Sequence, residues 1–199
     1  MSAYQQFLDF FEMHNKERLD GLSVDYFTPM TPHERAMAFD YLAQRLVDGG
    51  SEEAVNGLFR ADPVRASAVV AGLLDAGALR AEAQIAAAWN LYGVSKDPAL
   101  LDIFIRHLSD ANPEVRGKAA YYVPSSLLTD ALKQALQGMI RTETDRLALV
   151  HAVNKLLECY GITREAVDKA EFSRYYKGLR SEDSSTLEAT FKLLDGLFS

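Results

Sequence analysis

The sequence predicts an all-α fold: an α-solenoid of about five antiparallel helix pairs with one further C-terminal helix and no strand. Three observations predict it. Apolar residues recur at i, i+3, i+4 and i+7 in one segment after another. Four of the six prolines, Pro32, Pro63, Pro98 and Pro113, follow a capping residue and so take the first helical position, where a missing N–H costs nothing. A pattern of small and apolar positions also recurs at an offset of 32 residues. That period suits a two-helix unit, which cannot bury its apolar face without a neighbour.

Residues 3–19 form the first predicted helix, with Phe7, Phe10, Phe11 and Leu19 on its buried side. Residues 20–30 break the periodicity with Gly21 and Pro29 and carry Asp20 and Asp25. Together, residues 1–31 read as a capping helix and loop at one end of a single repeat domain spanning 1–199. Thr31, Pro32 and Glu34 then spell a capping box, in which Thr31 serves the third N–H of the helix and Glu34 reaches back. That helix should run to Asp48 and end at Gly49-Gly50, which suit a left-handed cap. Ser51 opens a helix to Arg60, and Asp62-Pro63 opens one to Asp75. An alanine-rich helix from Leu79 to Tyr92 is closed by Gly93, and Trp89 on it reads as core packing.

Asp97-Pro98 starts a helix whose stripe is Leu101, Phe104, Ile105 and Leu108, with Asp102 and Arg106 four apart on another side. Asn112-Pro113 repeats the start fifteen positions later, and Val115, Ala119, Tyr122 and Val123 give the second stripe before Pro124. Further helices are expected over 126–141, over 143–160, from a Thr163 cap to Leu179, and through Leu187, Phe191, Leu194 and Phe198. The total is eleven.

The joint between the helices over 98–123 is the most specific pattern in the chain. Asp110, Pro113, Val115, Arg116 and Ala119 resemble a HEAT-type repeat. The resemblance implies stacked helix pairs, with Asp110 and Arg116 in a ladder between successive units. At the offset of 32, Ala83, Ala87 and Ala88 precede this copy, and Leu147, His151 and Ala152 follow it under Val115, Ala119 and Ala120. The Asp and Arg do not recur. Tetratricopeptide repeats have a similar period, but their Trp, Leu-Gly and Tyr landmarks are not in register.

Composition narrows function by exclusion. The chain is 48% hydrophobic and 25% charged, ordinary for a soluble globular protein. Its net charge of −7 is uneven: residues 1–100 hold 14 acidic and 8 basic side chains, and residues 101–199 hold 14 and 13. An acidic first half argues against docking on nucleic acid and is compatible with a basic protein partner, or with a solvated acidic surface that favours solubility. No apolar run reaches the roughly 18 residues of a membrane span. The N-terminal residues have acids and no basic leader, and the lone Cys159 suits a reducing, cytoplasmic setting.

No catalytic or metal motif is found: no glycine-rich phosphate loop, HExxH, paired-cysteine motif or GxSxG. The four histidines are far apart. Glu165, Asp168 and Glu171 are spaced by three, but Lys169 and Arg174 beside them read as a solvated, ion-paired face. No metal or cofactor is therefore expected. The function expected is a non-catalytic protein-binding module, in its most specific form an immunity-type protein that neutralises a partner by occluding it. If the second helix of each pair lines a concave face, polar residues on the helices over 32–48, 98–109 and 126–141 meet the partner. The residues singled out are Asp20, Asp25, Asp40, Gln44, Asp102, Arg106 and Gln134. The alternative is an enzyme or adaptor: the resemblance extends to HEAT-like DNA glycosylases for alkylated bases and to partner-modifying lyases or regulatory adaptors. A glycosylase would need the basic cleft that the sequence lacks.

Overall fold

The computed structural model describes residues 2–14, 21–47 and 49–198. Leu19, Asp20, Asp48 and the side chain of Phe198 lie outside that description. Among the described residues there are eleven α-helices and no strand. The chain forms two compact units, residues 1–98 and 99–199.

Among the described residues the first unit holds five α-helices. Helix α1 (Ala3–Glu12) is capped by Ser2, whose Oγ accepts from the Gln5 N–H at 3.1 Å. The Thr31–Glu34 box opens α2 (Pro32–Val47) as expected: Thr31 Oγ1 accepts from the Glu34 N–H and Glu34 Oε2 from the Thr31 N–H. Helices α3 (Glu52–Ala61), capped by Ser51, and α4 (Pro63–Asp75), capped by Asp62, follow. The last is α5 (Ala81–Ser95). Helix α2 packs mainly on α3, and α3 in turn on α5. Where α3 meets α2 the approach is too close for a side chain. A Cβ on Gly57 would lie 2.8 Å from Leu42 Cδ1 and 2.9 Å from Leu22 Cδ2.

Local signals set most boundaries, and tertiary packing moved several. Helix α1 ends at Glu12 rather than continuing, with Met13 and His14 already non-helical. The stretch after Gly21 is part of the core rather than a surface excursion. Leu22, Phe27 and Met30 are buried, and Val24–Tyr26 make one 3-10 turn that carries Phe27 under α1. Gly93 does not close α5. The helix runs on to Ser95, and Lys96 takes the left-handed cap at φ 56.

The second unit holds α6 (Leu101–His107), α7 (Pro113–Tyr122), α8 (Asp130–Thr142), α9 (Arg146–Cys159), α10 (Lys169–Gly178) and α11 (Ser184–Asp195). Asn112, Thr129, Asp145, Asp168 and Asp183 cap the last five of these. Three starts are thus later than predicted, because a stronger cap lies downstream. Thr163 bonds only a local turn, while Asp168 accepts from both Ala170 and Glu171 N–H groups. The dominant packing is of α7 on α9, with Gly117 facing Ala148.

That packing corrects the register of the repeat. Leu147, aligned under Val115 at the offset of 32, is 64% exposed. At an offset of 33, Ala148, Ala152 and Val153 fall under Val115, Ala119 and Ala120, and all six are buried. The N-caps Asn112 and Asp145 coincide as well.

Candidate functional site

In the first unit the structure brings two of the expected residues together. Asp40 and Gln44, one turn apart on α2, stand on the rim of a groove of about 510 Å³ that they share with Ala43, Val47, Ala68, Val69, Gly72 and Leu73. Helix α4 is apolar nearly all round, so packing on its neighbours leaves Ala68, Val69 and Gly72 open to solvent. Their small side chains leave room for another backbone to approach. Val47 is exposed at the end of α2. Asp40 is held by Arg65, whose Nη2 donates to Oδ1 at 3.1 Å, and the Arg65 guanidinium rests on the Phe39 ring. This ion pair is solvated on both sides and so contributes only about 0–1 kcal/mol. An incoming cation can replace Arg65 at little cost.

The remaining expected residues are dispersed. Asp25 is exposed on the 3-10 turn, where its carboxylate accepts from Ser23 Oγ, and it does not line the groove beside Asp40. Asp20 lies outside the described residues. In the second unit Asp102 and Arg106 are exposed on α6 but form no ion pair with one another. Gln134 is exposed on α8. None of the three lines the cleft of about 570 Å³ between α6 and α8, whose walls are Ile105, Leu108, Ala135, Gly138 and Met139 with Arg116 and Glu143 among the polar residues. Helices α2, α6 and α8 carry the residues expected to meet a partner. Each packs on the helix that follows it, and the second members α7 and α9 pack on each other.

Arg116 is a structural centre. Its Nε and Nη2 donate to Glu143 Oε2 and Oε1 at 2.6 and 2.7 Å, and its Nη1 donates to the Asp110 and Ala111 carbonyls. Arg116 therefore pairs with Glu143 and not with the Asp110 carboxylate. Asp110 turns its carboxylate inward, to the Asn112 N–H and towards His107 Nδ1 at 3.3 Å. Glu143 stands 33 residues after Asp110, at the corresponding place in the next joint. The Arg116 guanidinium holds the Glu143 carboxyl below the usual carboxylate range.

A further cavity, of about 360 Å³, lies beside Cys159, Tyr160, Asp130, Lys133 and Asp195. Its groups already satisfy one another. The Tyr160 hydroxyl donates to Asp195 at 2.6 Å, and Lys133 reaches Asp130 and Asp195. Burial pushes the Cys159 thiol up to about 12. The thiolate is the nucleophile, so folded Cys159 should react with iodoacetamide near neutral pH roughly a thousandfold more slowly than a free thiol. Mass spectrometry of a labelling time course, native against denatured, checks this. Equal rates would show that the fold does not hold the half-buried thiol protonated.

Trp89 is not the core residue its helix suggested. It is 42% exposed on α5, while Ala83, Ala86, Ala87 and Ala88 take the buried positions. Tyr121, at the corresponding place on α7, is also exposed and packs its ring against Tyr122 and His151. Among the described residues no group of three or more His, Cys, Asp or Glu side chains is placed to hold a metal ion. No described helix is long and apolar enough to cross a membrane. No protein-family model, no curated protein and no solved structure matches the chain.

Proposed function

We propose that the protein is a non-catalytic protein-binding module of the HEAT-like solenoid type, its helix pairs following one another along residues 1–199 as one repeat series. One observation carries the functional reading: Asp40 and Gln44 border an apolar groove of small side chains between α2 and α4. The repeat reading is supported by α3 packing on α5, α7 packing on α9, and Arg116 reaching the acid of the following joint.

The occupant proposed for the groove is a basic amphipathic helix of a partner protein. Val69, Leu73 and Val47 offer apolar area, and Ala68 and Gly72 allow close approach. Asp40 meets a cation on the polar edge, within a unit that holds 14 acidic against 8 basic side chains. Toxin neutralisation by occlusion, in the cytoplasm, is the specific biological form this reading takes.

The test is affinity capture from the native host with the wild-type chain and with Val69→Glu, an exposed position on α4. A protein retained at one-to-one stoichiometry by the wild type and released at least about tenfold more readily by Val69→Glu is expected, because a charge is placed against an apolar contact. Capture of nothing stoichiometric, or equal capture by both chains, would defeat the proposal. Tight DNA binding at low salt would favour the glycosylase alternative.

A further inference from the structure

Five of the thirteen cations of the second unit are paired with a carboxylate, and four of the others converge on one groove. Arg116, Lys118, Lys133, Arg141 and Lys155 each have a carboxylate partner. Arg164, Lys169, Lys177 and Arg180 have none among the described residues, yet all four line one groove of about 830 Å³ with Phe172, Ser173 and Tyr176. No carboxylate lines it. The acids of the same segment are engaged or turned elsewhere. Asp168 caps α10 through the Ala170 and Glu171 N–H groups, and Glu165 and Glu171 stand exposed outside the groove.

The helix explains the arrangement. Lys169, Phe172, Ser173, Tyr176, Lys177 and Arg180 are spaced by three and four, so they share one face of α10 and its continuation. The helix is anchored through a different side, by the buried Tyr175 and Leu179. On the open face the Phe172 and Tyr176 rings lie nearly parallel, 5.6 Å apart at 19°. The Arg164 guanidinium lies 5.4 Å over the Phe172 ring and that of Arg180 lies 5.1 Å over the Tyr176 ring. Arg180 also donates to the Tyr176 hydroxyl at 3.2 Å. Stacking restricts both arginines before any ligand arrives, which lowers the ordering cost of binding.

We infer that this face of α10 binds an acidic segment of a partner protein, its carboxylates taken by Arg164, Lys169, Lys177 and Arg180 and an apolar side chain set against Phe172 and Tyr176. Single-stranded nucleic acid fits less well. Base stacking needs open ring faces, and here guanidinium groups cover them. A phosphate polymer would also extend beyond four cations onto a chain of net charge −7. The inference adds a second surface to the protein-binding reading, and its test is independent of the groove between α2 and α4.

The test is fluorescence anisotropy on the full chain with a labelled peptide of alternating Glu and Leu. Controls are the same peptide with Lys for Glu and a labelled oligothymidylate. The acidic peptide is expected to bind saturably, to weaken as salt rises, and to bind Val69→Glu as well as the wild type. Arg164→Gln/Arg180→Gln should weaken it about tenfold and Lys169→Gln/Lys177→Gln about fivefold. The side chains of the two lysines make no hydrogen bond or ion pair among the described residues, so that variant keeps the test valid if the arginine variant misfolds. No binding of the acidic peptide, equal binding by both variants, or tighter binding of the oligothymidylate through the same residues would overturn the inference.

Discussion

Phe7→Ala is expected to cost about 4 kcal/mol and to lower the unfolding midpoint by roughly 10 °C or more. The ring is fully buried at the centre of an aromatic cluster. Phe11, Phe27 and Tyr41 lie 5.3, 5.6 and 5.7 Å from it, centroid to centroid, with Tyr4 at 5.9 Å. Two of these pairs are edge-on, the arrangement that favours attraction between ring quadrupoles. Truncation therefore removes transfer energy, leaves a cavity, and unseats several ring contacts together. The loss should be local first, because α1 packs mainly on α2 and on the 3-10 turn. Amide exchange should accelerate at Phe27, whose N–H bonds the Val24 carbonyl at 2.9 Å, before it accelerates in α3. Calorimetry and exchange measure the two effects. A cost below about 1 kcal/mol, or exchange that rises uniformly across α1 to α5, would show that the cap is not seated by this cluster.

What was legible in the sequence is what short-range chemistry decides. The capping boxes and proline starts place α2, α4 and α7 because cap and helix are within four residues of each other. Longer-range features were hidden. The starts of α5, α7 and α9, at Ala81, Pro113 and Arg146, are 32 and then 33 residues apart, so the repeat slips by one and Leu147 was set where Ala148 belongs. The same slip concealed Glu143 as the partner of Arg116. Helix α5 has apolar residues on every side, so its periodicity could not say whether Trp89 or the alanines face inward. The structure favours the alanines, which let α3 approach. Grooves are harder still to read. Asp40 and Gln44 were visible as polar residues on one helix, but their apolar wall comes from α4. The basic face of α10 was masked because Glu165, Asp168 and Glu171 alternate with its cations and cancel them in any count.

Glu143→Ala is expected to be the most damaging single change to a charged residue in the second unit, at about 3 kcal/mol. The carboxylate is fully enclosed and fully used. Oε1 accepts from Arg116 Nη2 and from the Thr144 and Asp145 N–H groups, and Oε2 accepts from Arg116 Nε. Its removal strips four donor groups of their acceptor and leaves a mostly buried guanidinium without a counter-charge. The joint before α9 and the joint before α7 loosen together, since Arg116 also holds the Asp110 and Ala111 carbonyls. A double-mutant cycle separates this pairing from simple packing. Arg116→Met with Glu143→Met should cost less than the two single changes added, with a coupling of about 2 kcal/mol. The pH dependence provides a second check. Arg116 lowers the Glu143 carboxyl in the folded state, so the native chain holds this proton less readily than the unfolded one. The stabilisation is thus complete above the unfolded value of about 4.3 and is lost as pH falls through the folded value. Wild type and Glu143→Gln should differ clearly in urea midpoint at neutral pH and converge in acid. Additive single costs, or a difference that persists unchanged into acid, would mean that Arg116 is held by its two carbonyls alone and that Glu143 does not join successive helix pairs.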